Sequence, residues 1–146
     1  MYSFEFIEMT VKGNIAVIEL NRPRQLNSLN RKMVCEIVTA MEMFDREEEV
    51  RIIVLTGKGR SFSAGADIDE MTDDDPISLE LLNQFADWDR LTLIKKPIIG
   101  AVKGFVFGGG FELALCCDLL ISENGTQFYS PKSDLASCQV REVRSG

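Results

Sequence analysis

The hydrophobic positions change their period several times along the chain. Phe4-Glu5-Phe6-Ile7-Glu8-Met9 and Asn14-Ile15-Ala16-Val17-Ile18-Glu19-Leu20 read as two strands. Val11-Lys12-Gly13-Asn14 lies between them and offers glycine where a tight turn needs positive φ, so a β-hairpin is expected. Asn21-Arg22-Pro23 closes the second strand, because proline has no N–H for the ladder. From Asn30 the spacing lengthens. Met33, Val34, Ile37, Val38, Met41 and Phe44 recur at three- and four-residue steps and predict one helix face. Asn30 suits its N-cap and Asp45-Arg46-Glu47-Glu48-Glu49 its solvated end. Arg51-Ile52-Ile53-Val54-Leu55-Thr56-Gly57 is then a short buried strand, and strand, helix, strand in that order implies a βαβ unit with parallel pairing.

Pro76 can open a second helix. Leu79, Leu82, Phe85, Trp88, Leu91 and Ile94 give it an amphipathic face to about Lys95, with Trp88 in the core. Pro97 stops it, and Ile98-Ile99-Gly100-Ala101-Val102 reads as a central strand. Asp118-Leu119-Leu120-Ile121-Ser122 predicts a further strand, Asn124-Gly125 a turn and Thr126-Gln127-Phe128-Tyr129 a short strand. From Ser133 to Gly146 neither a helical face nor strand alternation is visible.

Composition narrows the function classes. With 146 residues, 45% hydrophobic and 27% charged, the chain has the length and balance of one globular domain. A net charge of −7 without any basic cluster argues against a nucleic-acid surface. There is no histidine. That removes Ser-His-Asp and Cys-His triads as usually built, and the imidazole-based zinc sites. Acid-base chemistry falls to Asp, Glu, Lys, Tyr or Cys. Cys35, Cys116 and Cys117 lie in apolar patterns, and no C-x-x-C pair occurs, so small core residues in a reducing cytoplasmic compartment are expected. No signal peptide is visible and the longest apolar runs are far short of a membrane span.

Two glycine-rich stretches carry candidate chemistry. Gly57-Lys58-Gly59-Arg60-Ser61-Phe62-Ser63-Ala64-Gly65-Ala66-Asp67 has no Gly-Lys-Ser/Thr at the Walker offset, and Phe62 occupies the third glycine position of a dinucleotide fingerprint. Its small residues let backbone N–H groups approach a ligand, although a plain surface loop fits equally. The acidic run Asp67, Asp69, Glu70, Asp73, Asp74, Asp75 has Thr72 where a calcium loop needs glycine, so it reads as a solvated segment and no metal is expected. Gly104-Phe105-Val106-Phe107-Gly108-Gly109-Gly110-Phe111-Glu112-Leu113 lies between apolar runs. A helix starting there would aim unpaired N–H groups and its positive dipole end at the turn, with Glu112 in its first turn. On the residues alone, a helix packed tightly on a strand explains it as well.

Order and spacing join these stretches. Asn21-Arg22-Pro23 with Leu26-Asn27-Ser28-Leu29, then Gly57 to Ile68, then Lys96-Pro97 and Gly104 to Ala114 with Cys117-Asp118, together resemble the enoyl-CoA hydratase/isomerase (crotonase) family. The resemblance looks closest to its bacterial hydratases and runs to about Pro131. It implies an α/β fold, the N-terminal part of a crotonase-like spiral of ββα units over residues 1–131, with a divergent tail at 132–146. It also implies an acyl-CoA thioester as partner, hydration of trans-2-enoyl-CoA, no cofactor beyond the coenzyme A of the substrate, and the trimers or hexamers of the family. The N–H groups of Ala66 and Gly109 would form an oxyanion hole, and Glu112 would be one of two catalytic glutamates. Arg24, Gln25, Leu26, Ser63, Ala64, Ala66, Asp67, Ile68, Gly108 and Gly109 would line the substrate groove.

The departures are as informative. Asp69 stands where the family often has lysine, and Lys103 where it commonly has asparagine. Lys132, after Pro131, occupies the position of the second catalytic glutamate, and the glycine-rich segment that normally follows does not appear. Lysine has the wrong charge for activating water. A truncated or frame-disrupted hydratase is therefore expected, diverging near Lys132. The alternatives are an enoyl-CoA isomerase using Glu112 as its sole acid and base, or a noncatalytic fragment that associates through uncovered apolar faces.

Overall fold

A computed structural model of the chain describes residues 3–65, 84–129 and 140–143. The hairpin forms from β1 (Ile7–Lys12) and β2 (Ile15–Leu20), paired antiparallel with Lys12 opposite Ile15. That register leaves Gly13-Asn14 as a two-residue turn, with Gly13 at φ +58°. β1 starts at Ile7 rather than Phe4, and the reason is a helix side chain. Glu36 is buried, and its carboxylate oxygens accept the N–H groups of Glu5 and Phe6 at 2.7 and 2.8 Å. These amides are satisfied by the helix, so the chain enters the ladder later. Glu36→Ala should orphan both and lower stability by roughly 1.5–3 kcal/mol, the range for hydrogen bonds to a charged group. Urea unfolding measures it; an unchanged midpoint would mean that the N-terminal segment detaches without cost.

Glu36 belongs to α1 (Arg31–Arg46), whose N-cap is Asn30 as expected: its Oδ1 accepts the Met33 N–H at 2.8 Å. Met33, Val34, Ile37, Val38, Ala40, Met41 and Phe44 form the buried face. Each large side chain among them contributes about 1.5–3 kcal/mol through burial. Cys35 corrects the core expectation. It is exposed, because one step past Val34 rotates it onto the stripe shared with Arg31 and Lys32. Cys116 and Cys117 are half-buried. α1 returns the chain to β3 (Ile52–Gly57), which lies parallel to β2 with Ala16 opposite Ile53 and Ile18 opposite Leu55. The βαβ unit is as expected.

Within the described residues the second helix, α2, covers Gln84–Leu91 and packs on α1, with Arg90 paired to Glu42. Its expected start at Pro76 lies outside them. Trp88 is in the core. The helix stops before Lys95 because Thr92, Leu93 and Ile94 donate to carbonyls three residues back, each at 3.2 Å. Lys95 and Lys96 then donate their N–H groups to Asp45 near the end of α1.

The strands form two layers. The main sheet has the order β1-β2-β3-β4-β6-β8, where β4 is Ile98–Val102, β6 Leu119–Glu123 and β8 Val140–Val143. All pairs from β2 onward are parallel. A second sheet pairs β5 (Phe105–Phe107) with β7 (Gln127–Tyr129), also parallel, and Ser63 bridges to Val106 beside it. Successive turns of chain therefore place one strand in the main sheet and the next extended segment in the second layer. β3 leads to Ser63, β4 to β5, and β6 to β7. Helix α3 (Gly109–Leu115) follows β5. This is the expected spiral of ββα units. β8 has no counterpart in the sequence reading, since four residues at a sheet edge are too few to display a period. No helix among the described residues is long and apolar enough to cross a membrane.

Candidate active site

The second layer brings three separate stretches of sequence into contact. The first follows β2. A single 3₁₀ turn at Pro23–Gln25 leads into Leu26 and Asn27, both left-handed at φ 52° and 54°. Asn tolerates this region; for Leu it is uncommon and must be imposed by its surroundings. The surroundings do so through hydrogen bonds. Asn27 is fully buried, its Oδ1 accepts the Arg22 N–H at 2.7 Å, and its Nδ2 donates to the carbonyls of Lys58 at 2.9 Å and Ser61 at 2.8 Å. The Asn27 carbonyl accepts the Ser63 hydroxyl at 2.8 Å. Leu26 accepts the Ala64 N–H at 2.9 Å, and Leu29 donates its N–H to the Gly65 carbonyl.

The second stretch, 58–65, is thus tied to the first along most of its length. It is tied equally to the third. Phe62 N–H donates to the Lys103 carbonyl, Ser63 N–H to Phe105 and Phe107 N–H to Ser63, at 2.8, 3.1 and 3.0 Å. Gly108 then caps α3 at φ +53°, donating its N–H to Tyr129 at 2.8 Å and accepting from Glu112 N–H at 3.0 Å. The N–H groups of Gly109 and Gly110 have no acceptor among the described residues.

Here the glycines permit close approach. A Cβ on Gly110 would lie 2.6 Å from the Ser63 Cβ and 2.7 Å from its carbonyl oxygen. Gly65, at φ +105°, has no room either: a Cβ there would be 3.0 Å from the Phe107 oxygen and 3.8 Å from the Gly109 nitrogen. The two stretches read as candidate donors therefore abut at Gly65 and Gly109. Ala66 follows Gly65 directly in sequence but lies outside the described residues, as do Asp67, Ile68, Asp69, the rest of the acidic run and Lys132. Of the other candidates, Arg24 and Gln25 are exposed on the 3₁₀ turn, while Leu26, Ala64, Gly108 and Gly109 are half-buried. Ser63 is fully buried with its hydroxyl committed to Asn27. Lys103 is half-buried.

Glu112 sits in the first turn of α3, half-buried, three residues after Gly109 and so on the same helix face. Phe111 and Leu113 on either side of it are buried, which fixes the rotation of the helix. Burial pushes the nearby Cys116 thiol up to about 11, reinforced by the charges of Asp89 and Glu112. Burial also pushes Cys117 up, with Cys116 and Asp118 adding to it. Both thiols are protonated at neutral pH and make poor nucleophiles. The raised Cys116 value means that its contribution to stability is full below the ordinary 9.0 and is lost as pH rises through about 11. In peptide-mapped alkylation of the folded chain, Cys35 should label at neutral pH and Cys116 only towards pH 11. Equal labelling of both at pH 7 would contradict the burial.

Asn27 and Ser61 are the residues that sequence reading passes over, because a polar residue in a turn is ordinarily exposed. The buried Asn27 amide instead organises the whole corner.

Comparison with known proteins meets this geometry. A family model described as enoyl-CoA hydratase/isomerase matches residues 10–139. The chain is 38% identical over 133 residues to a probable enoyl-CoA hydratase of Rhizobium meliloti, covering 91% of this chain and 52% of that protein. It is 41% identical over 136 residues to the mitochondrial enoyl-CoA hydratase of Pongo abelii, covering 89% and 46%. Among solved structures, an enoyl-CoA hydratase subunit I from Geobacillus kaustophilus matches with TM-score 0.81 and 58% identity, covering 86% of this chain and 49% of that one. The chain spans about half the length of the curated relatives it matches. The layered spiral is the crotonase fold, and with the family model running through the hairpin, both glycine-rich stretches and α3, the chain belongs to the enoyl-CoA hydratase/isomerase family.

Proposed function

We propose that the chain binds an acyl-CoA thioester at the corner between Gly65 and Gly109 and stabilises its enolate, as a hydratase-type protein acting on trans-2-enoyl-CoA. The observation that carries this reading is the Gly109 N–H: it lies against Gly65 and has no acceptor among the described residues. In hydration, the thioester oxygen gains negative charge as water adds to the β-carbon. Preorganised backbone donors aimed at that oxygen contribute about 3 kcal/mol each. Gly109 supplies one and Ala66 the other. Glu112, one helical turn along, transfers the proton. The names of the relatives support the substrate class.

Hydration is best served by two carboxylates, one for the water and one for the α-carbon proton. Lys132 stands at the second position, and that favours one further reading: isomerisation of a 3-enoyl to a 2-enoyl thioester, for which one base shuttling a proton suffices. The test is incubation with crotonyl-CoA, following loss of the conjugated enoyl absorbance, and in parallel with a 3-enoyl-CoA. Slow hydration is expected. Turnover at the rate of a full-length hydratase would defeat the argument from Lys132, isomerisation without hydration would select the second reading, and failure to bind any acyl-CoA would remove both.

A further inference from the structure

We propose that Asn27 is a positioning residue for the oxyanion site, setting the 58–65 segment so that Gly65 lies against the Gly109 N–H. This deepens the acyl-CoA reading and rests on it. The Asn27 side chain bonds to backbone: it accepts from Arg22 N–H and donates to the carbonyls of Lys58 and Ser61. Its own carbonyl holds the Ser63 hydroxyl, and that hydroxyl in turn accepts the Gly65 N–H at 3.3 Å. One buried residue thus reaches the segment at 58 and 61 through its side-chain amide and at 63 through its backbone carbonyl, and through Ser63 reaches Gly65. Gly65 is the residue whose backbone touches Phe107 and Gly109.

The left-handed backbone at Asn27 gives the side chain this reach. It turns the amide inward, where both its donors and its acceptor are used and none is left for solvent. A network so fully satisfied is rigid. Rigidity matters at this place because a hydrogen-bond donor misplaced by an ångström loses much of its effect on developing charge. Ser63 is the intermediary: Gly110 also packs on it, so the same side chain locates α3 against the segment.

The experiment is vibrational spectroscopy of an enoyl-CoA carrying a ¹³C-labelled thioester carbonyl, bound to the full chain, beside its dissociation constant. Donors on the carbonyl oxygen move its stretch to lower frequency. Asn27→Asp keeps the acceptor for Arg22 N–H and the tolerance for positive φ, and removes the two donors. The wild-type chain should show the shift. In Asn27→Asp the shift should fall to less than about half while affinity stays within about threefold, since one donor contributes part of the polarisation and little of the ground-state binding. General loss of structure would instead remove both. Ser63→Ala, which cuts only the link to Asn27 and Gly65, should show a smaller loss in the same direction, and it carries the test if Asn27→Asp does not fold. An undiminished shift in a folded Asn27→Asp, or in Ser63→Ala where that variant carries the test, overturns the inference and leaves the acyl-CoA reading standing. Absence of any shift in the wild-type chain overturns the oxyanion reading, and the inference with it.

Discussion

Glu112→Gln should lower enoyl-CoA turnover by this chain roughly 10²–10⁴-fold, the contribution of a positioned general acid or base. Acyl-CoA affinity should stay within about threefold, because the substitution keeps size, shape and hydrogen-bonding reach and removes only the capacity to exchange a proton. The large effect follows from the composition of the corner. No histidine exists in the chain, and the nearby Cys116 and Cys117 thiols are held neutral by burial. The resemblance puts Lys132 at the position of the family's other carboxylate. On the proposed function, Glu112 is therefore left to carry the proton transfer in hydration and isomerisation alike. The helix that carries it is fixed in rotation by the buried Phe111 and Leu113, the former edge-on to Phe128 at 5.8 Å. Steady-state rates with crotonyl-CoA and with a 3-enoyl-CoA decide it. Equal turnover by the variant would take Glu112 out of the chemistry and with it both readings of the reaction.

The parts of the fold that were legible in the sequence are those where one face is buried over many residues. α1 shows seven buried apolar positions in register with its turn, and its cap is a single recognisable Asn30. β2, β3 and β4 alternate buried and half-buried positions, so their strands and parallel order follow from short apolar runs joined by a helix. Where local pattern and tertiary contact compete, the pattern misleads. Phe4 to Phe6 has strand character, yet Glu36 takes its amides. Cys35 is apolar enough to suggest core, yet the helix carries it to solvent. β8 pairs with the edge of β6, a contact its own four residues do not announce.

The site divides in the same way. Glycines were legible as places of close approach, but not what they approach: that Gly110 meets Ser63 and Gly65 meets Gly109 is a property of the stacked layers. Asn27 shows the limit most clearly. Its letter in the sequence is that of an ordinary turn residue, and its role depends on two carbonyls, one N–H and one hydroxyl drawn from four other positions. A hub whose side-chain partners are all backbone groups leaves little trace in the identities of its neighbours.

Gly104→Ala should cost roughly 2–5 kcal/mol, a large share of the stability of a small domain. Gly104 has φ +60°, which charges any L side chain about 1–2 kcal/mol for the backbone alone. An added Cβ would also lie 2.2 Å from the Arg60 carbonyl oxygen and 2.7 Å from the Ser61 Oγ. Neither neighbour can easily retreat. Ser61 Oγ accepts the Phe105 N–H at 3.1 Å, and Ser61 carbonyl accepts from Asn27 at 2.8 Å. Moving them would loosen the start of β5 and the Asn27 network together. Gly13→Ala separates the two contributions, since Gly13 has nearly the same φ, +58°, and nothing within 4 Å of an added Cβ. It should lose only the backbone share. Urea unfolding of both variants gives the difference, and a clear excess for Gly104→Ala is the cost of forcing the 60–61 backbone away from β5. Equal losses would show that this contact yields freely. The two layers would then be held in place by their hydrogen bonds rather than by the tightness of their glycine approaches.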